Sequence, residues 1–242
     1  MDKTRIKNGL EKIITLFYPK RCAICDCVIK GTQRRICEKC EHKSMYIKEP
    51  VCMKCGKEIS KPEEELCRDC QRHQHFYIRN FACFSYRAIS DSIFRFKYAG
   101  RKEYAQFYAD EIVKRFGPEI RRIAPDALIP VPIHKKKYWK RGYNQAEVLA
   151  KAIGKRMNLP VVSNFVVRSR NTTPQKELSK EERQKNLERA FKIQQNVVKL
   201  STIVIIDDIY TTGSTIDKVA KACLEAGVVE VYSISLAIGK GL

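Results

Sequence analysis

The stretch IVIIDDIYTTGST, residues 203–215, decides the fold that we predict for this chain. Its four aliphatic residues are typical of a buried strand, and its Thr/Gly/Ser cluster is typical of a turn that enters a helix. The apolar residues from Ile216 to Leu224 recur at helical spacing and give that helix one apolar face. Asp207 and Asp208 therefore stand between a strand and the start of a helix.

Strands and helices alternate through the rest of this region. The sequence predicts strands at 81–86, 126–133, 161–167, 201–207 and 229–238, and helices at 88–97, 102–116 and 144–157. Such alternation is typical of an α/β fold, in which helices flank a parallel sheet. Ligands bind these sheets at the carboxyl ends of the strands, where we expect Asp207 and Asp208 to be exposed. Replacing them should then cost little stability.

The chemistry of residues 207–215 predicts a ribose 5-phosphate derivative as the ligand. Backbone amides of a Thr-Thr-Gly-Ser-Thr turn before a helix bind phosphate, and Gly213 permits a close approach. Two carboxylates would repel that phosphate, so we expect them to bind sugar hydroxyls or a metal ion. In the alternative interpretation, Thr212 or Ser214 caps the helix and the acids are solvated.

Eight of the eleven cysteines form an internal repeat in the N-terminal region. They are Cys22, Cys25, Cys37 and Cys40, and then Cys52, Cys55, Cys67 and Cys70, each displaced by 30 positions. Two CxxC turns close a four-cysteine shell, which suits a structural Zn²⁺ ion and leaves no position open for catalysis. Disulfides are the alternative. We expect about two zinc ions, with pairing within each repeat favoured over cross-bracing, and Cys27 is a candidate substitute ligand.

Charge and composition indicate a globular protein with phosphorylated partners. Lys and Arg number 47 against 27 Asp and Glu, which gives a formal net charge of +20. No apolar run approaches the length of a membrane span, and no secretory signal is recognisable. We therefore expect a cytoplasmic protein whose thiols are reduced, which favours zinc over disulfides.

The opening stretch resembles the phosphoribosyl pyrophosphate (PRPP) binding motif of type I phosphoribosyltransferases. The resemblance implies that Asp207 and Asp208 address the ribose hydroxyls, with Mg²⁺ bound beside them. It also implies that the 5-phosphate is held by Thr211, Thr212, Gly213, Ser214 and Thr215.

Two further segments fit the same resemblance. Segment 130–150, with Lys137 and Arg141, would hold the diphosphate, and segment 168–191 resembles the mobile loop that closes over PRPP, with Arg168 shielding the site. Taken singly, the first segment is equally well interpreted as a basic surface and the second as a linker. If the domain is an enzyme, its candidate catalytic residues are Asp207, Asp208, Arg141 and Arg168.

The order of motifs along the whole chain is similar to the ComF (ComFC-type) family of competence-associated, phosphoribosyltransferase-like proteins. After the cysteine repeat come FKYAGR, RGYNQAE, TPQKELSKEERQKN and IDDIYTTGST. The resemblance implies a cytosolic protein of natural transformation that acts on incoming single-stranded DNA and binds PRPP, with other competence proteins as further partners. We expect an amphipathic helix at 1–19, a double zinc ribbon at 20–72 and a phosphoribosyltransferase-like domain at 73–242.

The acceptor of the ribosyl group is left open by the sequence. Because the chain ends a few residues after its last predicted strand, we expect no hood there and look for an acceptor site within 71–100 or in the cysteine module. Three functions remain: a PRPP-binding factor in DNA uptake, an active phosphoribosyltransferase of nucleotide metabolism, and a PRPP-sensing regulator. The candidate nucleic-acid contacts are Arg34, Arg35, Lys97, Tyr138, Trp139 and Tyr143.

Overall fold

A computed structural model describes residues 19–29, 34–168, 191–194 and 199–239. Its strands are β1 (Asn80–Ser85), β2 (Ala127–Pro130), β3 (Val166–Arg168), β4 (Phe191–Ile193), β5 (Thr202–Tyr210) and β6 (Glu230–Ile238). Its helices are α1 (Glu38–Glu41), α2 (Arg68–Arg72), α3 (Tyr86–Tyr98), α4 (Tyr104–Ile123), α5 (Lys135–Arg141), α6 (Gln145–Met157) and α7 (Ser214–Glu225). The predicted N-terminal helix and nearly all of segment 168–191 lie outside the described residues.

Four parallel strands form the central sheet, in the order β1–β6–β5–β2. Strand β5 pairs with β6 along its length and with β2 over its first half, where Pro130 lies opposite Ile206. The side chains from Ile203 to Ile206 are completely buried, because helices such as α6 and α7 pack against this part of the sheet. The prediction of a parallel sheet flanked by helices is confirmed.

Helix α6 lies close, at Gly154, to the segment of chain that follows it. A Cβ atom at this position would lie 2.7 Å from the carbonyl oxygen of Leu159 and 2.9 Å from a methyl group of Val161, so the approach requires glycine. At the start of α6, the oxygen of the Asn144 side chain accepts from the Ala146 amide at 3.1 Å. Its Nδ2 donates to the carbonyl oxygen of Val131 at 3.0 Å, which ties α6 to the chain just after β2.

The predicted strand at 161–167 is wrong in its pairing. Val161 forms one isolated parallel bridge to Leu128, and the chain then turns at Ser163 and Asn164, two residue types that favour turns. Strand β3 follows, and it pairs with β4 in a separate antiparallel ribbon. The prediction failed because a group of apolar, β-branched residues indicates a strand but not its partner.

Strand β5 is longer than predicted and continues through both acids to Tyr210. Its neighbour β6 runs beside it, with Asp207 opposite Ser235 and Tyr210 opposite Ile238. The acids therefore belong to the last four residues of a central strand, and the turn begins only after Tyr210.

The cysteine region packs on both sides of the body. Cys22, Ala23 and Ile24 share a hydrophobic cluster with α3 and α4, while Cys52 and Cys55 belong to a second cluster that includes residues of α7. The three-part domain division at 1–19, 20–72 and 73–242 remains a prediction. Within the described ranges, no helix combines the length and the apolar composition needed to cross a membrane.

Candidate functional site

The eight repeated cysteines form two groups, as the pairing within each repeat predicts. The first cysteine group is Cys22, Cys25, Cys37 and Cys40, and the second cysteine group is Cys52, Cys55, Cys67 and Cys70. Within each group, all four sulfur atoms lie within 4.8 Å of one another. Short helices α1 and α2 begin directly after Cys37 and Cys67, and so turn Cys40 and Cys70 back towards the group.

Both groups fit a structural zinc ion. The sulfurs of Cys25 and Cys37 lie 3.6 Å apart, and those of Cys55 and Cys67 lie 3.7 Å apart. A tetrahedron with zinc–sulfur bonds of about 2.3 Å has an edge of about 3.8 Å, which agrees with these distances. Cys27 is exposed and lies outside the first group, so four ligands are present without it.

The acid pair lies at the carboxyl end of β5, and its two members have different surroundings. Asp208 forms an ion pair with Lys97 of α3, whose Nζ lies 2.9 Å from the carboxylate. Oδ1 of the Asp207 carboxyl group accepts from the Asp208 backbone amide at 2.8 Å. Although Asp207 is partly exposed as a residue, its carboxyl group is surrounded by protein, so the expectation of two exposed acids is wrong.

Burial raises the pKa of Asp207 to about 8, and the neighbouring charge of Asp208 adds to this rise. Lys97 and the Asp208 amide act in the opposite direction but do not offset it. In the ligand-free protein at neutral pH, Asp207 therefore holds a proton, and Asp208 is paired with a cation.

Residues 211–215, here called the hydroxyl turn, lead from the end of β5 into the first two residues of α7. Gly213 occupies the helix N-cap with φ of +81°, and none of the described side chains caps the first turn of α7. Thr212 Oγ1 lies 3.5 Å from the Ser214 amide, which is too long for an effective cap. The amides of this turn are thus left for another acceptor, which disfavours the capping interpretation of the Thr and Ser residues.

Arg141 lies on α5 and is linked to the acid pair through residues of α3. Its guanidinium donates to Gln145 Oε1 at 2.8 Å and to the Tyr98 hydroxyl at 3.0 Å, and it lies 4.8 Å from the centre of the Tyr98 ring. Since Tyr98 follows Lys97, the structure brings Arg141 and Asp208 to the same end of α3.

Two other candidates lie apart from this chain of contacts. Lys137 is exposed on α5. Arg168 lies on β3, with its guanidinium 5.6 Å from the ring of Phe191. The remaining cations of the predicted mobile loop lie outside the described residues.

The nucleic-acid candidates differ in their availability. Trp139 is 85% exposed and Tyr138 is also exposed. Arg34 pairs with Glu41 at 3.7 Å, and Arg35 pairs with Asp110 at 2.5 Å.

Tyr143 is not available to stack on a base. Its side chain is buried, and its hydroxyl donates to the carbonyl oxygen of Phe96. The ammonium of Lys102 covers its ring at 4.8 Å. The sequence interpretation failed here because Tyr143 lies in a basic segment, and its neighbours gave no sign of burial.

Sequence reasoning also missed residues at the site. His75 and Asp217 are joined by a hydrogen bond of 2.7 Å between the end of the cysteine region and the first turn of α7. Phe94 is 62% exposed and packs against Tyr98, with 5.1 Å between ring centres. The spacing of Phe94 and Tyr98 by four residues on a helix was the available signal for the second pair.

Comparison with known proteins finds relatives that are named as competence proteins. Competence protein F of Haemophilus influenzae is 29% identical over 232 residues, which cover 91% of this chain and 98% of that protein. The chain is a homologue of competence protein F. ComFC of Bacillus subtilis is 28% identical over 203 residues, which cover 80% of this chain and 79% of the relative.

The comparison extends to a further relative and to the cysteine module. The DNA utilization protein YhgH of Salmonella typhimurium is 27% identical over 220 residues, or 89% of this chain and 96% of that protein. Residues 13–71 match the family model of the double zinc ribbon domain. The cysteine region is therefore a double zinc ribbon, as the repeat predicts.

We expect about two zinc ions per chain by elemental analysis, because each cysteine group forms one complete shell. Cys55→Ser should lower the content to about one ion. Cys27→Ser is the matched control and should leave it unchanged, since Cys27 lies outside both groups. A folded wild-type protein without metal would contradict the assignment.

Asp207→Asn should remove a pH dependence of stability. The folded carboxyl keeps its proton up to about pH 8, whereas an unfolded Asp loses it near pH 4. Between these values the folded state binds more protons, so this group makes the free energy of unfolding fall as pH rises, by at most about 1.4 kcal/mol per pH unit. Urea unfolding of the ligand-free protein at pH 6, 7 and 8 should show a flatter dependence for the variant. Parallel curves for wild type and variant would disprove the burial effect, and Asp91→Asn on the exposed face of α3 is the control.

Proposed function

We propose that the protein binds PRPP at the carboxyl edge of its sheet and handles single-stranded DNA in DNA uptake. The observation that carries this proposal is the joint placement of an uncapped hydroxyl turn, an acid pair and a basic helix at one edge. Its place in competence is supported by the relatives that are named as competence proteins.

The hydroxyl turn supplies the phosphate site. Thr211, Thr212 and Ser214 are exposed, while Gly213 is buried beneath them. Four amides at a helix start have no partner within the helix, and the helix dipole attracts negative charge to them. A 5-phosphate bound there accepts from these amides and from the hydroxyls.

The acids supply the sugar site. Asp208 can exchange its contact with Lys97 for the ribose hydroxyls, and Lys97 is then free to face the diphosphate. The residues present also fit Mg²⁺, because carboxylates and ligand diphosphate oxygens are its preferred ligands. When bound, Mg²⁺ would neutralise charge on the diphosphate.

Arg141 is the residue best placed to bind the diphosphate. Its guanidinium is oriented by Gln145 and by stacking on Tyr98, so little side-chain freedom is lost on binding. An active phosphoribosyltransferase is the second candidate function, and this oriented cation next to the acid pair favours it, because developing charge on leaving diphosphate would be stabilised there.

An aromatic and cationic surface beside the site supports DNA binding. We define it by Phe94, Tyr98, Tyr138, Trp139 and Arg141, which lie on α3 and α5. Exposed aromatic rings stack on bases without sequence preference, and neighbouring cations bind the phosphates. Four further lysines on α5 extend the positive charge: Lys135, Lys136, Lys137 and Lys140.

Calorimetry with PRPP and Mg²⁺ tests the donor site. Asp208→Ala should weaken binding roughly tenfold to a hundredfold, because a charged hydrogen-bond acceptor is removed. Asp91→Ala, on the exposed face of the same α3 that carries Lys97, is the control and should bind like wild type. No binding by wild type, or unchanged binding by Asp208→Ala, would overturn the assignment.

Fluorescence anisotropy with a labelled single strand tests the nucleic-acid surface. Trp139→Ala should weaken binding by about 1–3 kcal/mol with little change in the salt slope, since this variant removes stacking and leaves the charge unchanged. Lys137→Ala should instead lower the slope, by about 0.7 for each DNA phosphate that the lysine neutralises in wild type. Val229→Ala is the control, because Val229 is exposed just before β6, at the opposite edge of the sheet. Equal affinities for Trp139→Ala and the control would contradict the proposed surface.

A further inference from the structure

The second cysteine group lies directly against the hydroxyl turn. A cavity of about 410 Å³ separates them in part, and its wall includes Cys55 and Cys70 on one side and Thr211, Thr212 and Ser214 on the other. Where the two sides meet, the segment after the cysteine group contacts β5 and α7 through side chains.

His75 is the link between the two sides. Its side chain is 4% exposed, and its Nδ1–H donates to Asp217 Oδ2 at 2.7 Å. The other ring nitrogen, Nε2, lies 3.6 Å from the sulfur of Cys70. One imidazole ring therefore contacts both a cysteine of the second group and the first turn of α7.

The backbone and the neighbouring tyrosines reinforce this contact. The amide of Phe76 donates to Asp217 Oδ1 at 3.0 Å, so both carboxylate oxygens are held by the ribbon side. The hydroxyls of Tyr77 and Tyr210 lie 2.6 Å apart, and the ring of His75 stacks on Tyr77 with 5.0 Å between centres.

Gly213 is wedged against the same groups. A Cβ atom there would lie 2.4 Å from the Tyr210 hydroxyl and 3.2 Å from Cε1 of His75. The hydroxyl turn thus rests on Tyr210 and His75, and a shift of His75 would remove part of its support.

The charge of Asp217 gives this contact a consequence for phosphate binding. Asp217 lies in the first turn of α7, and its amide donates to the carbonyl oxygen of Gly213 at 2.8 Å. A carboxylate released in this position would be attracted to the uncapped amides and would repel an incoming phosphate. Held by His75 and Phe76, it leaves those amides to the ligand.

We propose that His75 is a positioning residue that couples the metal in the second cysteine group to the phosphate affinity of the hydroxyl turn. Metal fixes the sulfur of Cys70, Cys70 and Asp217 fix the ring of His75, and the ring supports Gly213 while it restrains Asp217. This inference rests on the proposed binding of PRPP at the turn.

The affinity for PRPP and Mg²⁺, measured by calorimetry on the full zinc-loaded chain, is the first test. His75→Ala should weaken binding roughly tenfold, within the range usual for coupled sites. His73→Ala is the matched control. His73 is exposed, and the hydrogen bond described for its ring is to the carbonyl oxygen of Asp69. If His75 acts through Asp217, a double-mutant cycle with Asp217→Asn should be strongly non-additive.

Zinc release to a chromogenic chelator is the second test. If His75 had a purely structural role, its replacement would not change how zinc release depends on PRPP. Coupling between binding free energies is reciprocal, so in an equilibrium competition with the chelator PRPP should reduce zinc loss from one of the two sites in wild type and in His73→Ala but not in His75→Ala. Zinc content and thermal unfolding before the assay establish that each variant is folded.

The outcomes separate this inference from the proposed function. If wild type binds no PRPP, the proposed function fails and the coupling fails with it. If wild type binds PRPP but folded His75→Ala binds equally well, or if PRPP protects its zinc as in wild type, the coupling alone is disproved. Weaker binding together with the absence of protection supports it.

Discussion

The pairing of β5 with β2 on one side and β6 on the other is the constraint on which the site depends. It buries the aliphatic residues from Ile203 to Ile206 between two layers of helices and fixes the direction in which the chain leaves the sheet. Because parallel strands end at one edge, the acids of β5, the basic helix after β2 and the helix after β1 are brought together there. None of these segments is close to the others in sequence.

The double zinc ribbon shares the core of the body that it contacts. Its few aliphatic residues cannot bury enough surface to offset the loss of chain entropy, so metal binding and packing on the body must supply the difference. Met45 and Ile47 are both buried, each in a different one of the two hydrophobic clusters. Loss of metal should therefore also destabilise the helices and strands that pack against the ribbon.

The sequence alone was sufficient to predict features that depend on consecutive or closely spaced residues. A CxxC turn determines the direction of two thiols, and the strand, acids and hydroxyl turn are consecutive, so both patterns could be recognised without tertiary information. The β3–β4 pairing and the burial of Tyr143 could not be predicted, because each depends on a partner far along the chain. The same holds for His75 and Asp217, which are 142 residues apart and contact each other only in the folded protein.

The two ribbons contact different halves of the site. The first ribbon holds α3, since Arg95 donates to the carbonyl oxygen of Ile24 at 2.6 Å and Ser92 donates to that of Ala23. The last turn of α3 carries Lys97 and Tyr98, which contact Asp208 and Arg141. The second ribbon holds the hydroxyl turn through His75. Each cysteine group therefore supports a different part of the proposed donor site. The first group supports the acids and Arg141, the cation proposed to bind the diphosphate. The second group supports the hydroxyl turn. A single ribbon would leave one of these parts without its support, which gives a physical reason for two.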